Sequence, residues 1–442
     1  MSIHIHKFGG SCLSAIEDID AVVERIRLAE KQSVVIVSAF SGVTDRLLKQ
    51  IENDHVSSNL AFVSSIELEH VERVPEINSS PWEAHFKDTL KHLCDSLERY
   101  HTQPEEHKKA DILACGERLS SLAISAALHA RGIPAVPTWS EHAGICLVGR
   151  GEDATIDIQA TRESLSLPSK AVPVITGWYG ISRDGFALLG RGGSDLTATA
   201  LASALDAASV TIWRDVDGVL ALSPRWTLPA RNLSNLSYTE AAELAIFSQP
   251  MLHPSAVEPL RDSGIPLYLR PLHSPEIGGT IIGPSIRSKE PSVRAVGCLS
   301  KLVPLKWNLS NAMSLTESVS DAMGILNRSR INVVSIHAQP GHVRLLVSKR
   351  MAARAKRILS ERLNLPTPEI GEAMSILCFV GEGIGNDNST LKKIQEIARI
   401  EGLKMEIMYD HPRDHAIHSS VSEDDTEKAL RVLCNGLDLL TN

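Results

Sequence analysis

The residues best suited to chemistry in this chain stand near its start, in the segment KFGGS at 7–11. Two glycines after an apolar stretch let backbone N–H groups come close to an anion, and a helix that follows them adds partial positive charge. Lys7 contributes a full charge of the kind that stabilises a transferring phosphoryl group. The segment lacks the Walker A pattern G-x-x-x-x-G-K, and Gly-Gly after a strand is also an ordinary turn. It is therefore a candidate phosphate loop that needs support from elsewhere in the chain.

Two further segments place charged residues beside glycines. GRGGSD at 190–195 opens an Ala-rich helical segment, so it is a second candidate anion site, where Arg191 can hold a carboxylate through two parallel hydrogen bonds. Ser194 could instead be an N-cap of that helix with no further role, but the flanking Arg and Gly-Gly favour the anion site. WRDVDGV at 213–219 ends a strand, where carboxylates in an open α/β sheet lie near ligands. Asp-Gly is also a common turn, and this segment alone favours that simpler interpretation.

The pattern of apolar residues predicts an α/β domain that positions these segments. Residues 3–8, 14–31 and 33–40 form a predicted strand, helix and strand, and the β-branched second strand is typical of a parallel sheet. The alternation continues to about residue 285. Further predicted elements are strands at 172–178, 209–216 and 265–270, a helical excursion at 52–106, a helix at 111–131, and helices that start at Ser194, Thr239 and Pro254.

The pattern changes after a polar, proline-containing stretch, IRSKEPSV at 286–293. Beyond it, two segments each resemble a strand, a helix and two further strands, which predicts two small α+β modules. The predicted organisation is an α/β domain at 1–285, a linker at 286–303, and modules at 304–372 and 373–442.

Composition limits the classes of partner. The chain has 442 residues, enough for two or three domains, and a net charge of −8 without a long basic run, which argues against nucleic acid. No apolar run is long enough to cross a membrane, and no signal peptide is evident. Seven cysteines without a C-x-x-C pair fit a reducing cytoplasm, and 17 histidines show no zinc-ligand spacing. We expect a cytoplasmic protein with a small-molecule partner and predict no metal ligand.

The ordered set of motifs resembles the aspartate kinases over nearly the whole chain. The resemblance implies an amino-acid kinase fold, a carbamate-kinase-like sandwich with a mostly parallel central sheet. It also implies two C-terminal ACT modules of ferredoxin-like α+β topology, the second usually inserted within the first. The matching segments are KFGGSC at 7–12, SAFSGVT at 38–44, CGERLSS at 115–121, LGRGGSDLTATALA at 189–202, IWRDVDGV at 212–219, LSYTEAAELAIF at 236–247, LHP at 252–254 and GGTII at 278–282.

The resemblance implies transfer of the γ-phosphoryl group of MgATP to the side-chain carboxylate of L-aspartate, giving 4-phospho-L-aspartate. A carboxyl group with a pKa of about 4 is already ionised at neutral pH, so no general base is needed. Such an enzyme must instead bring two anions together and stabilise the charge on the transferring group. The ACT modules imply an amino-acid effector and a homodimer or larger homo-oligomer.

The resemblance also assigns roles to individual residues. Lys7 and Asp195 match the catalytic positions, Glu117 matches the residue that faces the substrate ammonium, and Arg191 matches the one that holds a substrate carboxylate. The implied aspartate-binding residues are Thr44, Glu117, Arg191 and Ser194, and the implied nucleotide-binding residues are Lys7, Gly9, Gly10, Ser11, Gly192, Gly193, Arg214, Asp215 and Arg225.

The nucleotide side departs from the family pattern. Pro250 stands where a phosphate-binding lysine is usual, and it offers neither the charge nor a backbone N–H. Arg214 replaces a usual Thr and is our candidate for a compensating cation. Leu220 and Ser223 also differ from the residues usual in the family.

Departures at 318–325 and 336–342 in the ACT modules remove the basis for assuming lysine or threonine feedback. Two alternatives therefore stay open beside an aspartate kinase. One is a sister kinase acting on another small amino acid or carboxylate, and the other is a weakly active paralogue that senses amino acids or assembles through its ACT modules.

Overall fold

The computed structural model describes residues 2–29, 32–53, 58–247, 252–285, 292–308, 314–363, 366–386, 388–408 and 415–441. The chain divides into two compact units. The first comprises 1–219, 232–245 and 250–286, and the second comprises 220–231, 246–249 and 287–442. Within the described ranges, no helix combines the length and apolarity needed to cross a bilayer.

Strands and helices alternate through the first two-thirds of the chain. The strands are β1 (Ile3–Phe8), β2 (Gln32–Val37), β3 (Ala135–Thr138), β4 (Leu147–Val148), β5 (Thr155–Ile156), β6 (Val172–Thr176), β7 (Tyr179–Ser182), β8 (Gly185–Leu188), β9 (Ser209–Arg214), β10 (Val219–Leu220), β11 (Asn232–Leu233), β12 (Asn235–Ser237), β13 (Leu267–Pro271) and β14 (Thr280–Gly283). The helices are α1 (Ile16–Arg27), α2 (Val43–Ile51), α3 (Asn59–Arg73), α4 (Glu83–Thr102), α5 (Glu106–Ala130), α6 (Ser140–Ala143), α7 (Ile158–Ser164), α8 (Gly193–Ala204), α9 (Tyr238–Phe247) and α10 (Glu258–Arg261).

The first unit is built on an eight-stranded sheet in the order β12-β14-β13-β9-β1-β2-β6-β3. Its strand pairs are parallel except β13 with β14, which is antiparallel. The predicted mostly parallel α/β sheet is thus confirmed. Five of the six residues of β2 are buried, as expected for a β-branched strand covered on both faces. Because parallel strands end at one edge, the loops that follow β1 and β9 lie at the same edge.

Small side chains allow helices to pack closely on this sheet. A Cβ atom added at Gly116 of α5 would lie only 3.0 Å from the Cβ atom of Ala39, in the loop after β2. α8 buries a run of Gly, Ser, Thr and Ala residues. α5 is the helix predicted at 111–131, and α3 and α4 occupy the predicted helical excursion.

The second unit is dominated by one antiparallel sheet with helices packed on it. Its strands are β15 (Ala295–Asn308), β16 (Val333–Gln339), β17 (His342–Ser348), β18 (Glu369–Ile370), β19 (Met374–Val380), β20 (Met405–Ile407) and β21 (Ala416–Ser422), and its helices are α11 (Leu315–Arg328), α12 (Lys349–Arg362), α13 (Asn388–Ile400) and α14 (Thr426–Gly436).

The long strand β15 serves both predicted modules. Its first half pairs with β19, its second half pairs with β17 and β18, and the register shifts between Leu299 and Leu302. Lys301 at this irregularity has a φ of 59°, and such bulges increase the local twist of a strand. One continuous strand therefore supplies a strand to each of the two modules.

This arrangement corrects two expectations. The strand orders β18-β15-β17-β16 and β15-β19-β21-β20 are both ferredoxin-like, so both modules have the predicted α+β topology. However, the first module is inserted into the second. The second module contains the start of β15, which precedes the first module in the chain, and then β19, β20 and β21, which follow it. The predicted linker at 286–303 is also wrong over 295–303, which is strand, while 286–291 lie outside the described residues.

Candidate active site

The centre of the site is a buried ion cluster of Lys7, Asp195 and Arg214. The Lys7 Nζ atom lies 2.6 Å from Asp195 Oδ1, and Arg214 Nη2 lies 2.5 Å from Asp195 Oδ2. Lys7 on β1 is in register with Ile212 on β9. Arg214 lies two residues beyond Ile212 and so on the same face of the sheet as Lys7. Asp195 reaches both cations from the first turn of α8.

Burial and charge act against each other in this cluster. Burial alone would raise the pKa of Asp195, but the Lys7 ammonium and the Arg214 guanidinium outweigh it and hold that pKa below its ordinary value. Burial lowers the pKa of Lys7, and Asp195 opposes this effect. Asp195 thus pairs with two cations at once, Lys7 and Arg214.

The first glycine loop is shaped by close contacts at this centre. A Cβ atom at Gly9 would lie 3.1 Å from Lys7 Nζ, and one at Gly10 would lie 3.1 Å from the carbonyl oxygen of Ala39. The Ser11 hydroxyl donates to Asp215 Oδ1 at 3.1 Å, which joins this loop to the end of β9. Residues 10–12 form a short 3-10 turn, and α1 begins only at Ile16, so the expected helix terminus does not directly follow the glycines.

The second glycine loop does lead directly into a helix. Gly192 is the N-cap of α8 with a φ of 71°, and a Cβ atom there would lie 2.4 Å from the Cβ of His253. At Gly193 the added atom would lie 2.6 Å from Trp178 Cδ1. Ser194 is therefore not the N-cap, and its buried hydroxyl accepts a hydrogen bond from Ser38 Oγ at 3.0 Å. The partial positive charge of a helix N-terminus acts at this loop.

Glu117 presents a buried carboxylate on α5. It is 2% exposed, and its Oε1 atom accepts a hydrogen bond from the Ala39 backbone N–H at 3.2 Å. Its Oε2 atom is buried and has no hydrogen-bond partner among the described residues. Burial raises the pKa of Glu117 to about 8, against the opposing effects of the Ala39 N–H and the Arg118 and Lys7 charges. Such an oxygen is suited to accept a hydrogen bond from a bound cation.

The other predicted substrate residues lie in the first unit without joining the ion cluster. Thr44 is half-buried in the first turn of α2, and Arg191 is exposed. In the described part of the chain, Arg191 forms no ion pair with a carboxylate. Their roles toward a substrate stay predictions.

The predicted nucleotide residues are divided between the two units. Asp215 is exposed in the first unit. Arg225 belongs to the second unit, where its guanidinium donates to the carbonyl of Cys298 and lies 5.0 Å from the ring centroid of Trp226. Leu220 and Ser223 also lie in the second unit, and Pro250 is outside the described residues.

Sequence reasoning missed the residues that support Glu117. The backbone N–H of Ala39 holds one of its oxygens. Arg118 is buried and pairs with Asp111 at 2.9 Å and Glu141 at 2.8 Å, fixing α5 beside the site. The available signal was the Glu-Arg pair within the Ala- and Leu-rich part of this helix, because buried charges in such a segment require partners.

Comparison with known proteins establishes the family. The sequence profile described as "Amino acid kinase family" matches residues 2–271, and the chain belongs to that family. The chain is 25% identical over 466 residues to "Aspartokinase 2, chloroplastic" of Arabidopsis thaliana, covering 97% of this chain and 83% of that protein. It is 25% identical over 455 residues to the aspartokinase of Bacillus sp. (strain MGA3), covering 99% and 98%.

The fold has a matching solved structure. The crystal structure of E. coli aspartokinase III in complex with aspartate and ADP aligns with a TM-score of 0.83 at 23% identity, covering 99% of this chain and 100% of that one. At this identity the likeness concerns the fold. Together the comparisons confirm the resemblance to aspartokinases and the fold class predicted from the sequence.

Proposed function

We propose that this protein is an aspartate kinase, which transfers the γ-phosphoryl group of ATP to the side-chain carboxylate of L-aspartate. The observation that carries the proposal is the buried Oε2 atom of Glu117, which lies near Lys7 and has no hydrogen-bond partner in the described part of the chain. The chain belongs to the amino acid kinase family. An amino-acid substrate brings an ammonium group that can pair with this oxygen. The whole-length similarity to aspartokinases favours aspartate among amino acids.

The site supports transfer through charge and position. The acceptor carboxylate is ionised at neutral pH, so the protein need not remove a proton from it. Lys7 offers its ammonium group to the transferring phosphoryl group, while Asp195 lies 2.6 Å from that group, orients it and opposes the lowering of the Lys7 pKa by burial. Arg191 is exposed in the second loop, and in this proposal its guanidinium holds a substrate carboxylate, with Thr44 and Ser194 completing the aspartate-binding set.

The two glycine loops supply the proposed nucleotide site. Backbone N–H groups at Gly9 and Gly10, and those at the start of α8, suit phosphate oxygens. Magnesium would enter with the nucleotide and neutralise part of the phosphate charge. The Ser11 hydroxyl and the Asp215 carboxylate, 3.1 Å apart, are oxygen donors of the type that this cation prefers.

A hydroxamate assay tests the proposal. The purified chain is incubated with MgATP, hydroxylamine and aspartate, glutamate or another small carboxylic acid, with Lys7→Met as the inactive control. We expect product with aspartate that depends on both ATP and Lys7. Turnover confined to another acid would identify the sister kinase, and ATP binding without turnover on any acid would favour the sensor paralogue. Either result would reject the proposal.

The regulatory and cellular assignments also stay proposals. We propose that the ferredoxin-like modules of the second unit bind an amino-acid effector and support a homodimer or larger homo-oligomer in the cytoplasm. Inhibition assays with single amino acids test the proposed effector, and sedimentation measurements test the proposed homo-oligomer. A monomer that no amino acid inhibits would exclude both.

A further inference from the structure

Arg214 occupies an unusual position at the end of β9. One guanidinium nitrogen, Nη2, lies 2.5 Å from Asp195, while its side chain is 21% exposed, compared with 5% for Lys7. Its carbonyl oxygen accepts a hydrogen bond from the Leu272 N–H at 2.8 Å, which fixes the backbone. The side chain therefore extends from a rigid strand end into the cluster and still reaches solvent.

Two cations, Lys7 and Arg214, pair with the single negative charge of Asp195. A single cation satisfies a carboxylate, and Lys7 already lies 2.6 Å from it. A second cation beside a buried carboxylate adds desolvation cost and repulsion from the first cation. Of the two cations, Arg214 is the one that an anion entering from solvent reaches first.

The surroundings of Arg214 point to a phosphate anion. The next residue, Asp215, accepts a hydrogen bond from Ser11 of the first glycine loop. Asp195, its ion-pair partner, lies in the first turn of α8, directly after the second loop. Arg214 thus stands where both proposed phosphate loops meet. Its planar guanidinium can bind two phosphate oxygens at once, which a lysine cannot do.

We propose that Arg214 is a phosphate-binding residue that exchanges partners, moving from Asp195 to the terminal phosphates when a nucleotide polyphosphate binds. Asp195 then retains Lys7 as its partner. This deepens the proposed function and rests on it only for the presence of a polyphosphate in the site. If Arg214 instead serves only to orient Asp195, its removal should slow turnover without changing polyphosphate affinity.

Titration calorimetry separates these two roles. ATP, AMP and inorganic tripolyphosphate are titrated into the wild-type chain and into R214Q, R214K and R270Q. Arg270 is a matched control on the neighbouring strand β13. It is in register with Trp213 and lies 5.0 Å from the Tyr268 ring centroid, so its side chain is on the opposite face from Arg214.

We expect R214Q to weaken ATP and tripolyphosphate binding about 10- to 100-fold, the effect of one charge-assisted contact. AMP affinity should not change, R214K should recover part of the loss, and R270Q should match the wild type. Unchanged ATP and tripolyphosphate affinity in R214Q, with reduced turnover, would overturn the proposal. If R214Q does not fold, R214K provides the test, because a point charge should lose part of the affinity for both polyphosphates and none for AMP. Binding requires no acceptor, so failure of the aspartate assay leaves this result interpretable.

Discussion

Replacement of Glu117 by glutamine tests the proposed ammonium site more directly than any other change. Glutamine preserves the size of the side chain and the carbonyl oxygen that accepts from the Ala39 N–H. It removes the negative charge that would face the substrate ammonium. We expect the aspartate KM to rise about 10- to 100-fold in E117Q, the cost of one charge-assisted hydrogen bond, while ATP affinity is retained.

The same substitution should alter stability in a pH-dependent way. The pKa of Glu117 is raised by burial from 4.5 to about 8. Between these values the folded chain retains a proton that the unfolded chain has released, so stability falls as pH rises through this window. The full shift corresponds to a loss on the order of 5 kcal/mol once Glu117 is ionised. Because glutamine cannot ionise, E117Q should avoid this loss.

Thermal unfolding and initial rates between pH 5 and pH 9 measure both effects. The melting temperature of E117Q should exceed that of the wild type by a margin that grows as pH rises from 5 to about 8 and is then constant up to pH 9. The wild-type aspartate KM should fall between pH 6 and pH 8, because the ionised carboxylate binds the ammonium, and the E117Q value should not follow this trend. A constant difference in melting temperature, together with an unchanged aspartate KM in E117Q, would refute the reasoning.

Three further substitutions test other parts of the site. Lys7→Met should reduce kcat about 10²- to 10³-fold while the variant still folds. A smaller reduction of kcat in rate assays would show that Lys7 does not act in the transfer step. Gly192→Ala should destabilise the chain more than Gly264→Ala in denaturant titrations. Both positions have a positive φ, but only at Gly192 would the added Cβ lie 2.4 Å from the Cβ of His253. Equal losses of unfolding free energy in the two variants would contradict this. Arg118→Met should cost about 1.5–3 kcal/mol of unfolding free energy by removing the buried guanidinium that pairs with the half-buried carboxylates of Asp111 and Glu141. A neutral result would show that the ion network is not required.

Much of the fold could be predicted from local patterns. β-branched runs and glycine turns predicted β1, β2, β6, β9 and β13, because side-chain periodicity and turn chemistry depend on neighbours in the sequence. The division of β15 between two modules could not be predicted in this way. A continuous strand shows no local sign that its halves pair with different partners, and its first nine residues therefore fell within a predicted linker.

For the site, the sequence by itself determined which groups are available: Lys7 with its glycines, Asp195 at a helix start, and Glu117 within an apolar helix. Only the tertiary structure decided how these groups are paired and charged. Lys7 and Arg214 share Asp195 because β1 and β9 lie side by side, and Glu117 has a pKa of about 8 because α5 is buried. Pairing and desolvation depend on distances between segments far apart in the chain, which local sequence patterns do not contain.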